Sequence, residues 1–140
     1  MSRRELTFQS HIIDTYKLEG GTGRKWASEW QKGPPDLVLS CPVVGTHLAE
    51  VKHHPTFSVH RAIQNPMTPK QISVAEEYIK AGSHVFLFLV SGNHARDAAL
   101  HVYKPLITKT NEGHLFSLPF VMGAKFQGLT NKIREYCCEQ

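Results

Sequence analysis

The chain has 140 residues, of which 41% are hydrophobic and 20% are charged, the balance of one ordinary globular domain over residues 1–140. This composition excludes a disordered chain, and the longest apolar run, residues 85–90, is too short to cross a bilayer. A formal charge of +4 and nine histidines suit a polyanionic partner. No apolar leader is visible and the three cysteines form no paired motif, so we expect a cytoplasmic protein.

The first third of the chain predicts one helix followed by strands. Apolar residues at helical spacing predict a helix over residues 4–18, with Ser2 as its cap and the glycines that follow ending it. Residues 24–30 indicate a short strand or an ordered loop. Residues 36–40 and 46–52 then have the spacing of an antiparallel hairpin.

A second helix is predicted after a segment without a clear pattern. Residues 53–65 have few periodic signals, and we expect a loop there. Thr68, Pro69 and Gln71 mark a helix start, because a threonine cap and a glutamine three residues later can satisfy each other's backbone N–H groups. Gly82 ends this helix.

The remaining elements complete a mixed domain. Residues 83–90 form a continuous apolar run, as expected of a buried central strand. Another strand is predicted over residues 98–103, a looser segment follows to Pro119, and residues 124–138 have the apolar spacing of a final helix. This order indicates an α/β domain with a central mixed sheet flanked by helices.

Two carboxylates and a lysine form the pattern that carries chemistry. Asp36 begins one strand of the predicted hairpin and Glu50 lies near the end of the other, so antiparallel pairing can bring both to one end. Lys52 points to the same face as Glu50, because strand side chains alternate with period two. Hard cations such as Mg²⁺ or Mn²⁺ prefer oxygen ligands, and the Val51 carbonyl can add one. A lysine beside the metal can orient water and stabilise charge on a phosphate.

Other chemistries have less support in the sequence. The histidines at positions 47, 53, 54 and 60 have no cysteine at zinc-ligand spacing and no HExxH motif, so we expect solvated or DNA-facing side chains, His53 among them. No GxSxG nucleophile motif is present. The glycine-rich turn at residues 20–25 lacks the P-loop pattern and a preceding strand.

The order of these motifs resembles the PD-(D/E)xK nuclease superfamily, and more closely its virus-type replication-repair nuclease (VRR-NUC) domains and the archaeal-type Holliday junction resolvases. The shared features are an early helical glutamate, a basic glycine-rich turn, a Pro-Asp pair, a Glu-Val-Lys triplet, a hydroxyl-x-x-Gln helix start and a buried strand. They lie at Glu5 and at residues 20–25, 33–39, 50–52, 68–71 and 82–90. Pro34 and the His53-His54 pair depart from the family pattern, but neither removes a catalytic group.

The resemblance implies a restriction-endonuclease-like fold and assigns roles to five side chains. Asp36 and Glu50 would bind the metal, and Lys52 would be catalytic. Gln71 would support the catalytic site, and Glu5 would reach the metal from the first helix. Two of these roles have structural alternatives, because Gln71 can simply complete a capping box and Glu5 can simply favour the helix N-terminus.

Basic and aromatic residues between the first helix and the Pro-Asp pair are candidates for DNA binding. Arg24 and Lys25 would contact phosphates, although their turn can equally be a helix C-cap in a charged loop. Trp26 and Trp30, interleaved with these residues and with Lys32, can stack on splayed bases. Core packing or a dimer contact is the commoner role of such tryptophans.

By this resemblance we predict a Mg²⁺- or Mn²⁺-dependent endonuclease acting on branched DNA, with Holliday junction resolution as the first expectation. Cutting two symmetric strands implies a two-fold homodimer. One alternative is a non-specific or flap-cutting nuclease of repair or replication. Another is a non-catalytic DNA- or protein-binding module on the same fold. The compact single-domain form favours a phage-encoded protein that acts in the host cell, without a membrane partner.

Overall fold

The computed structural model of the chain describes residues 3–26, 35–54 and 66–139, and across these ranges three α-helices are combined with eight β-strands. In chain order the elements are α1 (Arg3–Leu18), β1 (Thr22–Lys25), β2 (Leu37–Cys41), β3 (Gly45–His53), α2 (Pro69–Lys80), β4 (Val85–Ser91), β5 (Ala99–Tyr103), β6 (Leu106–Thr110), β7 (Gly113–Ser117), β8 (Phe120–Ala124) and α3 (Leu129–Cys138). A short 3-10 turn, Ala95–Asp97, precedes β5.

Six strands form one mixed sheet in the order β1-β2-β3-β4-β5-β8. β3 and β4 run parallel, with α2 in the connection between them, and the other neighbouring pairs are antiparallel. β6 and β7 form a separate antiparallel ribbon. The predicted α/β fold with a central mixed sheet flanked by helices is confirmed. Within the described ranges, no helix is both long and apolar enough to span a membrane.

The two faces of the sheet carry different helices. Phe8 and Tyr16 of α1 and Ile133 of α3 lie in one apolar cluster on the first face, which we call the α1/α3 face. Ala75 of α2 and Leu48 of β3 lie in a second cluster on the opposite, α2 face. Strand side chains therefore alternate between two buried layers near the middle of the sheet.

β4 is the central strand, and its sequence reflects burial on both sides. Phe86 and Phe88 pack into the α1/α3 cluster, whereas Leu87 and Leu89 pack into the α2 cluster. Six consecutive residues of this strand are buried. A continuous apolar run is the pattern expected of such a strand, and the predicted central position is confirmed.

Local hydrogen bonds end α1 and begin α2 as the sequence predicts. Gly20 adopts φ +91°, and the Gly21 N–H donates to the carbonyl of Tyr16 at 2.7 Å, which closes α1. At α2, the Gln71 N–H donates to Thr68 Oγ1 at 3.1 Å, and the Thr68 N–H donates to Gln71 Oε1 at 3.0 Å. These two bonds form the predicted capping box.

Several predicted boundaries were wrong. The segment up to Pro119 contains β6 and β7, and residues 120–124 form β8, so that α3 begins only at Leu129. β6 and β7 are largely exposed and lack the apolar alternation by which strands are recognised. β1 begins at Thr22, two residues before the segment predicted as a strand or loop, and ends at Lys25. His53 extends β3 instead of beginning a loop.

Some predictions lie outside the described residues. They concern Ser2 as a helix cap, residues 27–34 with Trp30 and Lys32, and the proposed loop over residues 55–65 with His60.

Candidate active site

The candidate site lies where β3 continues beyond its neighbour β2. The last register pair between these strands joins Leu37 to Ala49, so Asp36 and Glu50 lie next to each other at the open end of the hairpin. Beyond this point β3 is no longer paired with β2, but it remains paired with β4 as far as His53. The sequence prediction that antiparallel pairing brings the two carboxylates together agrees with this register.

Asp36 is held against β3 by a backbone hydrogen bond. The Val51 N–H donates to Asp36 Oδ2 at 2.8 Å, where a continued β2 would have offered a backbone carbonyl. The carbonyl of Asp36 itself accepts from the Trp26 N–H at 2.9 Å. Asp36 is therefore held by hydrogen bonds from β3 on one side and from the residue that follows β1 on the other.

Glu50 is the most deeply buried carboxylate of the site. Its side chain is 1% exposed, and neither carboxylate oxygen has a hydrogen-bond partner within the described ranges. It lies two residues beyond Leu48 and projects from the same, α2 face of the sheet. A buried carboxylate without partners is costly unless a proton or a cation compensates its charge.

The electrostatics of the two acids reflect this burial. Burial, followed by repulsion from Asp36, raises the pKa of Glu50 to about 9. Burial also raises the pKa of Asp36, although the N–H of Val51 acts in the opposite direction. The two carboxyl groups are close enough to influence each other's titration, and a proton held by Glu50 and shared with Asp36 raises the pKa of Glu50 and lowers that of Asp36.

Lys52 and Glu5 complete the charged cluster. Lys52 is half-buried, follows Glu50 by two residues on the same face, and its positive charge lowers the pKa of both Asp36 and Glu50. The charge of Glu5, from the first turn of α1, raises both. The structure thus brings four of the predicted site residues within electrostatic reach of one another.

The donor set offers a cation two carboxylates and a backbone carbonyl. Among the described side chains, no group of three histidines, cysteines, aspartates or glutamates is arranged to hold a metal. In a strand, the N–H and C=O of one residue point to the same neighbour, so the carbonyl of Val51 faces Asp36 as its N–H does. Oxygen-only donors and the unpartnered Glu50 carboxylate fit a hard cation, whose remaining ligands would be water or substrate.

Gln71 lies at the start of α2, where its side-chain oxygen and its backbone N–H are both used in the capping box. Gln71 thus has the capping role that the sequence offers as the alternative to a catalytic one. Its catalytic role stays a prediction.

His53 and His47, which lie near the site, form contacts with other residues of the protein. His53 lies 5.3 Å from the ring of Phe8, and its Nε2 is 2.7 Å from the carbonyl of Gly92. His47, expected to be solvated or DNA-facing, is fully buried, so that expectation was wrong. Its Nδ1 lies 2.9 Å from the carbonyl of Gly45, to which it can only donate, and its Nε2 lies 2.7 Å from the Tyr16 hydroxyl. Burial lowers the pKa of His47 to about 4.

The basic residues predicted to contact DNA lie on the edge strand beside Asp36. Arg24 and Lys25 are exposed on β1, and Lys25 is the register partner of Leu37, the residue after Asp36. Trp26 follows, half-buried, with its ring edge-on to Tyr78 at 5.6 Å. Its packing against the α2 cluster is the commoner role considered for this tryptophan.

One contact that stabilises the fold could not be predicted from the sequence. Glu19, after α1, accepts hydrogen bonds from the N–H groups of Gly128 at 2.6 Å and Thr130 at 3.1 Å, and from the Thr130 hydroxyl at 2.8 Å. It thereby caps α3 from more than 100 residues away. No local pattern signals a cap supplied by so distant a residue.

Comparisons with known proteins give a limited likeness. No family model matches the chain, and no curated protein matches it. The chain is similar to a solved structure named "VRR_NUC domain", with 25% sequence identity and a TM-score of 0.45. That match covers 66% of this chain and 87% of the other. Because a likeness of this extent does not establish an activity, the functional proposal depends on the side chains described above.

Proposed function

We propose that the chain is a divalent-metal-dependent DNA endonuclease with Asp36 and Glu50 as metal ligands and Lys52 as the catalytic group that orients the attacking water and stabilises charge on the phosphate. The single observation that carries the proposal is the buried Glu50 carboxylate beside Asp36, with no hydrogen-bond partner in the described part of the chain. A divalent cation would compensate both charges, and binding would release the proton that burial favours on Glu50.

The chemistry follows from which groups face the cluster. Asp36, Glu50 and the Val51 carbonyl would hold Mg²⁺ or Mn²⁺, with Glu5 of α1 as a further ligand. When bound, the cation supplies Lewis-acid stabilisation of a phosphate and increases the acidity of nearby water. Lys52 would orient the attacking water and stabilise the charge that develops on the phosphate. Gln71 would support these groups from the start of α2.

The positive surface supports a nucleic-acid substrate. Arg24 and Lys25 are exposed on the strand that adjoins Asp36, so a phosphate backbone bound there would pass beside the carboxylates. Lys32 and His53 are proposed as additional DNA contacts. The net charge of +4 also favours the binding of a polyanion such as DNA.

The same proposal extends to the DNA substrate, the oligomeric state and the location of the protein. Branched DNA, with a Holliday junction first, follows from the motif resemblance, and it requires a homodimer with two equivalent sites. A flap-cutting nuclease is the second candidate, favoured by a cavity on the α2 face that is lined by Trp26 and Tyr78. A non-catalytic module is less well supported, because the acids and Lys52 are all present. Action in the cytoplasm, and a phage origin, belong to the proposal as well.

A cleavage assay on three substrates tests the activity and separates the candidates. A four-way junction, a flap and linear duplex are incubated with Mg²⁺, with Mn²⁺ or with EDTA. Asp36→Ala is compared with Asp36→Asn, which keeps an acceptor for the Val51 N–H but loses the charge. We expect metal-dependent cutting that falls by at least about 100-fold in both variants, on the scale of lost electrostatic stabilisation.

Each outcome of this assay has a distinct meaning. No metal-dependent cutting of any substrate would contradict the nuclease proposal. Equal cutting of junction, flap and duplex would contradict the resolvase assignment alone. Full activity of Asp36→Asn would show that the aspartate acts only through its hydrogen bond to Val51.

A further inference from the structure

A cavity of about 370 Å³ opens on the α2 face of the sheet. Trp26 and Tyr78 provide aromatic walls, and the floor is made of Val38 and Leu48, which are register partners on β2 and β3. The volume lies within the range of small-molecule sites, about 300–1,000 Å³. A planar group the size of a nucleobase fits between an aromatic ring and such an apolar floor.

The rim of the cavity is polar and positively charged. Arg24 and Lys25 lie on the rim, and both side chains are exposed. Thr46 and Ser83 add hydroxyl groups that can form hydrogen bonds with the edge of a base. Arg24 is the register partner of Val38 and therefore projects from the face on which the cavity opens. An apolar, aromatic interior beside this cation is complementary to a nucleotide, which has a stacking base and an anionic phosphate.

The cavity and the carboxylate site are neighbours on the same face. Val38 follows Asp36 by two residues, and Leu48 precedes Glu50 by two residues. Val38 and Leu48 are therefore the nearest neighbours of the two acids along the strands on that face. Two residues of a strand span about 7 Å. Because stacked DNA rises about 3.4 Å per base, the cavity is one or two nucleotides from a phosphate held at the acids.

On the basis of the nuclease function proposed above, we infer that the cavity receives one unpaired nucleobase adjacent to the scissile phosphate. The base stacks against Trp26, and Arg24, which projects from the same face of β1, binds a flanking phosphate. A base inside a duplex is stacked on both sides and cannot enter without being extruded. The site therefore selects DNA with unpaired nucleotides beside the cut, such as a flap, a gap or an open junction, over intact duplex.

The test measures DNA binding by the full chain in EDTA, so that no strand is cut. The probes are a single-stranded oligonucleotide, a flap and an intact duplex, the first two with 2-aminopurine at successive positions. We expect Trp26→Ala to weaken binding of the two unpaired probes roughly 5- to 150-fold, the range of a lost aromatic stack. Duplex binding should change by less than about twofold, and Trp26→Phe should retain most of the affinity.

A matched control and a second variant keep the inference testable. Phe120→Ala removes a half-exposed aromatic from β8, the opposite edge strand, and should leave all binding unchanged. Thermal melting checks that each variant is folded. If Trp26→Ala does not fold, Tyr78→Ala removes the facing ring from α2, and the same selective loss is expected.

The outcomes separate this inference from the nuclease proposal. Unchanged binding, or an equal loss on duplex and unpaired probes, overturns the cavity inference. If the wild type cuts DNA in Mn²⁺ and the Trp26 variants show the same substrate preference as the wild type, the cavity inference fails and the nuclease proposal stands. If the wild type cuts nothing while Trp26→Ala selectively loses the unpaired probes, the nuclease proposal fails and the binding site stands.

Discussion

Replacing Glu50 by glutamine removes the ionisable group of the most deeply buried acid while keeping the volume of the side chain. In the folded protein the pKa of Glu50 is raised from its ordinary value of 4.5 to about 9, first by burial and then by Asp36. Between these two values the folded state holds a proton that the unfolded state has released. The metal-free wild type therefore loses stability as the pH rises through this window.

The size of the effect follows from the same shift. Each pH unit within the window costs about 1.4 kcal/mol when only the folded state is protonated. From pH 6.5 to 8.5 the free energy of unfolding of the wild type should thus fall by about 2–3 kcal/mol relative to Glu50→Gln. Protonation of His47, whose pKa is lowered to about 4, changes stability below pH 6.5, and it cancels in the difference because both proteins contain it.

Urea unfolding in EDTA at several pH values measures this difference directly. Glu112→Gln, an exposed glutamate between β6 and β7, is the control and should follow the wild type at every pH. Saturating Mn²⁺ should restore the wild type at pH 8.5, by about 2.7 kcal/mol at 100 times the dissociation constant, but not Glu50→Gln. Parallel pH curves for wild type and Glu50→Gln would refute the reasoning, because the glutamate would then be ordinary in its titration.

Three further substitutions test the contacts that hold the fold, each by urea unfolding. Thr68→Ala removes the capping box of α2 and should cost about 1 kcal/mol, whereas Thr68→Ser should cost less than half of that. Glu19→Ala leaves the start of α3 without its distant cap and should cost about 1–2 kcal/mol, and a loss near zero would show that water replaces it. Tyr16→Phe leaves the buried His47 Nε2 without its partner and should also cost about 1–2 kcal/mol; an unchanged midpoint would contradict the proposed hydrogen bond.

The parts of the fold that the sequence predicts are those with local or strongly periodic signals. The capped start of α2 depends on residues within one turn, and the six buried residues of β4 form an unbroken apolar run. Both elements were predicted at nearly their observed positions. The β6–β7 ribbon is exposed on most of its surface, so its residues have no apolar alternation from which it could be recognised.

The candidate site was predictable to the extent that it depends on strand register. Asp36 and Glu50 meet because β2 and β3 form a hairpin, and Lys52 shares a face with Glu50 because of period-two alternation. The burial of His47 could not be predicted, because its partner Tyr16 lies on a helix 31 residues earlier. The cavity depends on the contact between Tyr78 of α2 and Trp26 on the α2 face of the sheet, for which there is no local sequence signal.

Anomalous diffraction from crystals of the full chain soaked in Mn²⁺ tests the central claim most directly. The proposed function predicts one strong peak between the carboxylates of Asp36 and Glu50, with the Val51 carbonyl as a ligand and Lys52 beside it. Asp36→Asn crystals treated in the same way should lose most of that peak. A wild-type map with no peak at these residues, and with Glu50 still buried without a partner, would contradict the metal site and the activity proposed for it.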